Sequence, residues 1–212
     1  MATHYDDEAQ AEQLKLWWKE NWMALAAGLV IGLAAIFGWE GWQKHTTQRA
    51  ATASQMYDEL KQALADDKAD VAKPLADKLV ADYANTPYAA GAQLRVAAAA
   101  VKSSQFDDAA TRLKWVQEHA KDDGLQKVAE LRSARVLWQQ GKLDDALKLV
   151  DNNTGAFAPL FDELKGDIKL AKGDRDAARS AYQKAFEATP ETEPSRKLLQ
   201  RKLDDLTETE PS

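Results

Sequence analysis

No cysteine occurs in the 212-residue chain, which excludes disulfides, thiolate nucleophiles and cysteine-held metal, and makes the chain equally tolerant of oxidising and reducing compartments. Histidine is almost as scarce. His4, His45 and His119 lie far apart with no H-x-x-x-H spacing, so no metal site is expected. Glycine-rich phosphate loops and the nucleophile elbow of hydrolases are missing as well, so neither cofactor, catalytic residue nor small-molecule substrate is expected. Strand-like alternation bounded by hairpin signals is absent, which points to an all-α chain. A basic stripe is absent too: 28 Lys and Arg are interspersed among 34 Asp and Glu, for a net charge of −6, and nucleic acid is excluded as a partner. Asp pairs recur at 107–108 and 144–145, but they fall at equivalent places in a repeated pattern, where helix N-terminal charge explains them better than catalysis. Asn152-Asn153-Thr154 fits a glycosylation sequon, a pattern short enough to arise by chance.

What the chain does have is one long apolar run, Asn21 to Trp39, without a charge. As a helix it would measure ~28 Å, close to the roughly 30 Å hydrocarbon thickness of a bilayer. Trp17, Trp18 and Trp22 stand at one end and Trp39 and Trp42 at the other, five of the seven tryptophans, placed as an interfacial belt would place them. A buried helix of a soluble domain rarely has indoles at both ends. A cleaved signal peptide is opposed by the acidic leader Tyr5-Asp6-Asp7-Glu8, by the length of the run and by the bulky Trp39 and Trp42 after it. An uncleaved anchor over 21–42 in a lipid bilayer is therefore expected, preceded by an acidic tail over 1–20 that turns helical near Gln10. Gly28 and Gly32 form a small-xxx-small pair on which another helix could pack closely. Charge does not orient the span, because Lys15 and Lys19 before it are matched by Lys44 and Arg49 after it.

Residues 43–206 read as one soluble domain, with a polar tail over 207–212. Ala53, Met56, Tyr57, Leu60 and Leu64 recur at helical spacing, so this helix is expected to continue the anchor with at most a kink at Gly41. From Val71 a second period emerges in LADKLVADYANTP, SQFDDAATRLKWV, GKLDDALKLVDNN and GDRDAARSAYQKAFEATP. Their aligned alanines, Ala76, Ala109, Ala146 and Ala178, are separated by 33, 37 and 32 residues, near the ~34-residue period of a tetratricopeptide helix–turn–helix unit. In each of the last three a small residue (Ser104, Gly141 or Gly173) ends one helix and an Asp (Asp107, Asp144 or Asp176) opens the next. The alanine lets two helices approach, and Val80, Leu113, Val150 or Tyr182, four positions later, fills the groove between them. Helices over 92–102, 127–139 and 160–172 precede the three turns. Prolines 74, 87, 159 and 190 are expected at helix starts or between helices. A last helix over 195–206 sets Leu199, Leu203 and Leu206 on one face and Arg196, Lys197, Arg201 and Lys202 mostly elsewhere, as a cap on a stacked array requires.

With no chemistry in view, the remaining function is protein binding. The first helix of each pair lines the concave face of such an array. This makes Val101, Trp138 and Leu170, three residues before the turns, and Ala98, Arg135 and Asp167, six before, candidates for a partner-binding groove. Trp138 reads equally well as a binding anchor or as core.

The acidic leader, KENWMALAAGLVIGLAAIFGWEGWQKH over 19–45, ANTPYA from Ala84 and LKGDIKLAKGDRDAARSAYQKA over 164–185 together resemble the YfgM-type family, the ancillary SecYEG translocon subunits of the bacterial inner membrane. The likeness extends over nearly the whole chain and carries no catalytic residues. It implies a cytoplasmic N-terminus, a periplasmic tetratricopeptide-like domain, association with the Sec translocon and with a periplasmic membrane-anchored chaperone of the prolyl-isomerase type, and a part in handling unfolded secreted proteins. A structural adaptor or assembly factor of an envelope complex, docking one fixed partner, is the alternative.

Overall fold

The computed structural model describes residues 3–151 and 155–208, so the Asn152-Asn153-Thr154 sequon lies outside the described residues. Among these every regular element is helical: α1 (Thr3–Ala65), α2 (Ala69–Tyr83), α3 (Pro87–Lys102), α4 (Phe106–His119), α5 (Asp123–Gln139), α6 (Leu143–Val150), α7 (Ala158–Ala171), α8 (Arg175–Ala188) and α9 (Ser195–Glu208), with one 3-10 turn at Gly155–Phe157. The chain divides after Ala51 into two compact units.

The first unit is helix alone. α1 starts at Thr3, ahead of the expected onset near Gln10, because the sequence between Thr3 and Leu14 holds no helix-breaking Pro or Gly. It runs through Gly41 without interruption. Its apolar stretch is long enough to cross a membrane and none of it is covered by protein. Leu29, Val30, Ile31 and Phe37 stay 65–69% exposed. A continuous patch of that kind is not sustained in water, and lipid is its natural surrounding. The indoles of Trp39 and Trp42 lie 5.4 Å apart, tilted against each other, and the side chains of Gly28 and Gly32, were they larger, would meet nothing.

The second unit is the stacked array. Each first helix ends in one left-handed residue, at Ser104 (φ 57°), Gly141 (φ 75°) and Gly173 (φ 83°), and α1 ends in the same way at Asp67 (φ 56°). The hydrogen bonds around them are equivalent. Lys68, Gln105, Lys142 and Asp174 donate their N–H back to the carbonyls of Ala63, Ala100, Leu137 and Lys169 at 2.8–3.0 Å, closing four Schellman turns that satisfy the last carbonyls of each helix. The repeat thus begins at α1, one unit earlier than the small-residue turns alone suggest. Asp70, Asp107, Asp144 and Asp176 then sit in the first turns of α2, α4, α6 and α8, where their charge opposes the helix dipole.

Packing follows the turns. Ala76, Ala109, Ala146 and Ala178 are all fully buried, and the interior is a series of clusters: the end of α1 with α2 and α3, then α3 with α4 and α5, then α5 with α6 and α7. Leu113, Val150 and Tyr182 fill the helix grooves as expected, whereas in the first repeat Leu79 takes the interior place and Val80 is only half-buried. Gly166 in α7 lies under the Tyr182 ring, so that a Cβ there would come within 2.3 Å of it. Pro87 and Pro159 open α3 and α7 and Pro190 lies between helices, but Pro74 falls inside α2. Its missing bond sits on the exposed side of the helix's second turn, where water can serve the freed carbonyl.

α9 closes the array. Leu199, Leu203 and Leu206 are buried against Ala178, Tyr182 and Ala185 of α8. Two of the cations placed away from that face by the pattern turn inward instead. Lys202 donates to Glu163 and Asp167 of α7 at 2.7 and 2.6 Å, and Arg196 stacks its guanidinium 3.9 Å from the Phe186 ring. Arg175 and Arg179 donate to the Leu206 carbonyl, supplying cationic donors where the α9 dipole is negative.

Candidate partner-binding groove

The side chains that line the inner face come from the first helices of consecutive repeats. Between the end of α1, α3 and α5 lies an open groove of about 630 Å³. Tyr57, Leu94, Arg95, Ala98, Leu125 and Arg132 form much of its lining, with Asp67 and Lys102 at its margin. A smaller hollow of about 190 Å³ adjoins it, sharing Ala98 and Arg132 and adding Val101, Arg135 and Val136. Ala98 leaves the space open where a larger side chain would fill it, while Ala97 and Ala100 pack beneath.

Of the six residues proposed from the repeat register, Ala98, Val101 and Arg135 come together in the smaller hollow. The other three lie elsewhere. Trp138 is half-buried against the cluster of Leu131, Ala134 and Phe161. Asp167 accepts from Tyr182 Oη at 2.8 Å and from Lys202; burial, and then this hydrogen bond and the Asp167 charge, push the Tyr182 phenol far above its ordinary value. Leu170 stands 38% exposed near the end of α7.

Arginines dominate the electrostatics of the groove. Arg95 donates from Nε to Tyr57 Oη at 2.7 Å and lies over that ring, with Lys61 also 5.4 Å from its centroid. Arg132 donates to the Leu94 carbonyl at 3.0 Å. Burial, and then the like charges of Arg135 and Arg95, hold the Arg132 guanidinium below its usual value. Among the described residues none of the three makes an ion pair with a carboxylate. Arg112, one helix away, shows the opposite arrangement: it is buried and bonded to Asp108, Asp77 and Gln93 at 2.8–2.9 Å.

Arg95, Arg132, Tyr57 and Leu125 were missed by sequence reasoning, although a signal was there. Arg95 and Arg132 both lie nine residues before a left-handed turn, at Ser104 and Gly141. They are one repeat apart, just as Ala98 and Arg135 are. Among the described residues no group of His, Asp and Glu is arranged to hold a metal ion.

A model of the tetratricopeptide repeat-like domain family matches residues 15–208, and the similarity to curated relatives runs the full length. The chain is 33% identical over 207 residues to the ancillary SecYEG translocon subunit of Escherichia coli, covering 97% of this chain and 99% of that protein. The chain belongs to the ancillary SecYEG translocon subunit family. The proteins of the same name from Haemophilus influenzae and Aggregatibacter actinomycetemcomitans are 31% and 34% identical, each covering 97% of this chain and 100% of the relative. The single N-terminal apolar helix and the translocon association in the relatives' names fit a single-pass membrane protein.

Proposed function

We propose that this chain is a membrane-anchored, non-catalytic ancillary subunit of the Sec translocon. Its repeat domain, on the periplasmic side, holds proteins there and assists the handling or folding of secreted chains. The observation that carries this reading is full-length similarity to translocon subunits in a chain whose array offers a preformed groove of about 630 Å³. The groove residues proposed to meet partners are Ala98, Val101 and Arg135, joined by Arg95 and Arg132; Trp138, Asp167 and Leu170 extend the same face toward the end of the array. Trp17, Trp18, Trp22, Trp39 and Trp42 lie at the membrane interfaces, and Gly28 and Gly32 form the anchor's packing face. Partners are the translocon, a membrane-anchored periplasmic chaperone of the prolyl-isomerase type and unfolded secreted proteins.

Crosslinking in cells through a photoreactive residue at position 98, followed by mass spectrometry, tests the reading. Translocon subunits together with a spread of secreted chains are expected. A single stoichiometric folded partner would instead make the chain a fixed adaptor. Protease added to spheroplasts should digest the repeat domain; full protection would reverse the orientation.

A further inference from the structure

The groove has a chemical bias that its shape alone does not require. Arg95, Arg132 and Arg135 converge on it from α3 and α5, Lys102 stands at its margin, and only Asp67 supplies an acid to the lining. The chain as a whole carries a net charge of −6, so this cationic concentration runs against the global sign. Three guanidiniums close together repel one another, and Arg132 is half-buried with, among the described residues, a backbone carbonyl as its one hydrogen-bond partner. A site that gathers three like charges, none of them paired with a carboxylate among the described residues, is suited to an anion from outside.

We propose that this groove binds an acidic, extended segment of a protein partner, with carboxylates on Arg95, Arg132 and Arg135 and apolar side chains between them on Leu94, Ala98, Val101 and Leu125. The inference rests on the reading of this face as the partner-binding groove. Guanidinium forks match carboxylates in paired hydrogen bonds, and the Tyr57 ring holds the Arg95 fork in place from one side. The apolar floor favours a segment that mixes Asp or Glu with Leu or Phe over a plain polyanion. An anionic membrane surface shares the charge but not the shape, because Arg132 lies inside a concave groove that a flat headgroup layer does not enter, whereas an extended chain does.

The test uses the full chain in phosphatidylcholine nanodiscs and fluorescent twelve-residue peptides in which Asp and Glu alternate with Leu and Phe, read by anisotropy. Binding should weaken at least tenfold when Asp and Glu become Asn and Gln, and fall steeply as salt rises from 50 to 300 mM. Arg95→Gln with Arg135→Gln, both exposed positions, should lose at least tenfold for the acidic peptide and leave the melting temperature unchanged. Ala98→Trp, which fills the hollow, should weaken the acidic and the amide peptide alike. Loss with Ala98→Trp but none with the arginine pair would keep the groove and overturn the acidic partner; indifference to all three substitutions would overturn both. Capture of separate phosphatidylglycerol vesicles that needs Arg95 and Arg135, without peptide binding, would give the arginines to a lipid surface and overturn the proposal.

Discussion

At the residue scale the array is held by a few positions where one atom decides the packing. Asp108 in α4 receives Lys73 from α2 at 2.8 Å and Arg112 at 2.8 Å, and Arg112 goes on to Asp77 and Gln93. Burial alone would raise the Asp108 carboxyl, but the hydrogen bonds and charges of Lys73 and Arg112 outweigh it and hold it below the ordinary 3.8. A carboxyl depressed in the folded state contributes stability that is present above its unfolded value and is lost as pH falls through the folded one. Asp108→Asn should therefore lower stability at pH 7, by about 1.5–3 kcal/mol if it behaves like other hydrogen bonds to charged groups, and should flatten the acid limb below pH 4. Urea midpoints at pH 7, 4 and 2.5 measure both; an acid limb as steep as that of the parent would place the linkage in other carboxyls. Gly166 is the second such position. Gly166→Ala drives a methyl into the buried Tyr182 ring and is expected to cost ~1–3 kcal/mol as overpacking, with partial recovery in the double variant Gly166→Ala, Tyr182→Leu. Thermal melts of the four proteins in the cycle check this. Tyr182 was legible in the sequence as a groove filler because it recurs at the repeat period. Gly166 was not, since a lone glycine in a helical pattern does not announce which ring lies over it.

At the scale of elements, the repeat is a sequence of identical turns more than of identical side chains. Asp67, Ser104, Gly141 and Gly173 share one backbone conformation, yet two of them carry a Cβ, which makes the left-handed region unfavourable by roughly 1–2 kcal/mol. Ser104→Gly should relieve part of this and stabilise the domain by ~0.5–1 kcal/mol, the remainder being offset by the greater freedom of glycine in the unfolded chain. A rise in the chemical denaturation midpoint without a change in slope is the expected result. The alanine period showed all four repeats, and Ser, Gly and Gly marked the turns of the last three, but the turn of the first at Asp67 was hidden because an aspartate does not look like a helix stop. The groove was half legible for a related reason: the register singled out Ala98, Val101 and Arg135, which line the smaller hollow, but polar residues in a helical pattern read as solvated, so Arg95 and Arg132 passed unnoticed although one repeat separates them. Lys202 and Arg196 were misplaced in the same way, because a long cation on a helix flank can reach inward as easily as outward.

At the scale of the whole molecule, the chain joins an apolar helix covered by no protein to an array that completes its own core, since the buried clusters lie within 52–208. Two elements whose stabilising surfaces are independent should fail independently. Replacing Asn21–Trp39 by an unrelated apolar helix of the same length is expected to leave the melting temperature of the array and its peptide binding unchanged while abolishing copurification with the translocon. Gly28→Leu with Gly32→Leu is the milder form. It preserves hydrophobic length and only thickens a face on which none of the described residues packs, so any loss of translocon association must come from a second helix that can no longer approach. Trp138→Ala separates the remaining alternatives for the array. An indole at the centre of a binding face commonly contributes ~2 kcal/mol or more to capture, whereas one packed on Leu131 and Phe161 contributes to folding, with ~3–5 kcal/mol lost on truncation to alanine when fully buried and less when half-buried. A variant that melts much earlier yet captures partners normally below its transition makes Trp138 core; one that melts normally and captures weakly extends the groove from α5 toward α7. Should the swapped anchor still copurify with the translocon, recruitment runs through the array, and the arginine groove becomes the first surface to which it should be traced.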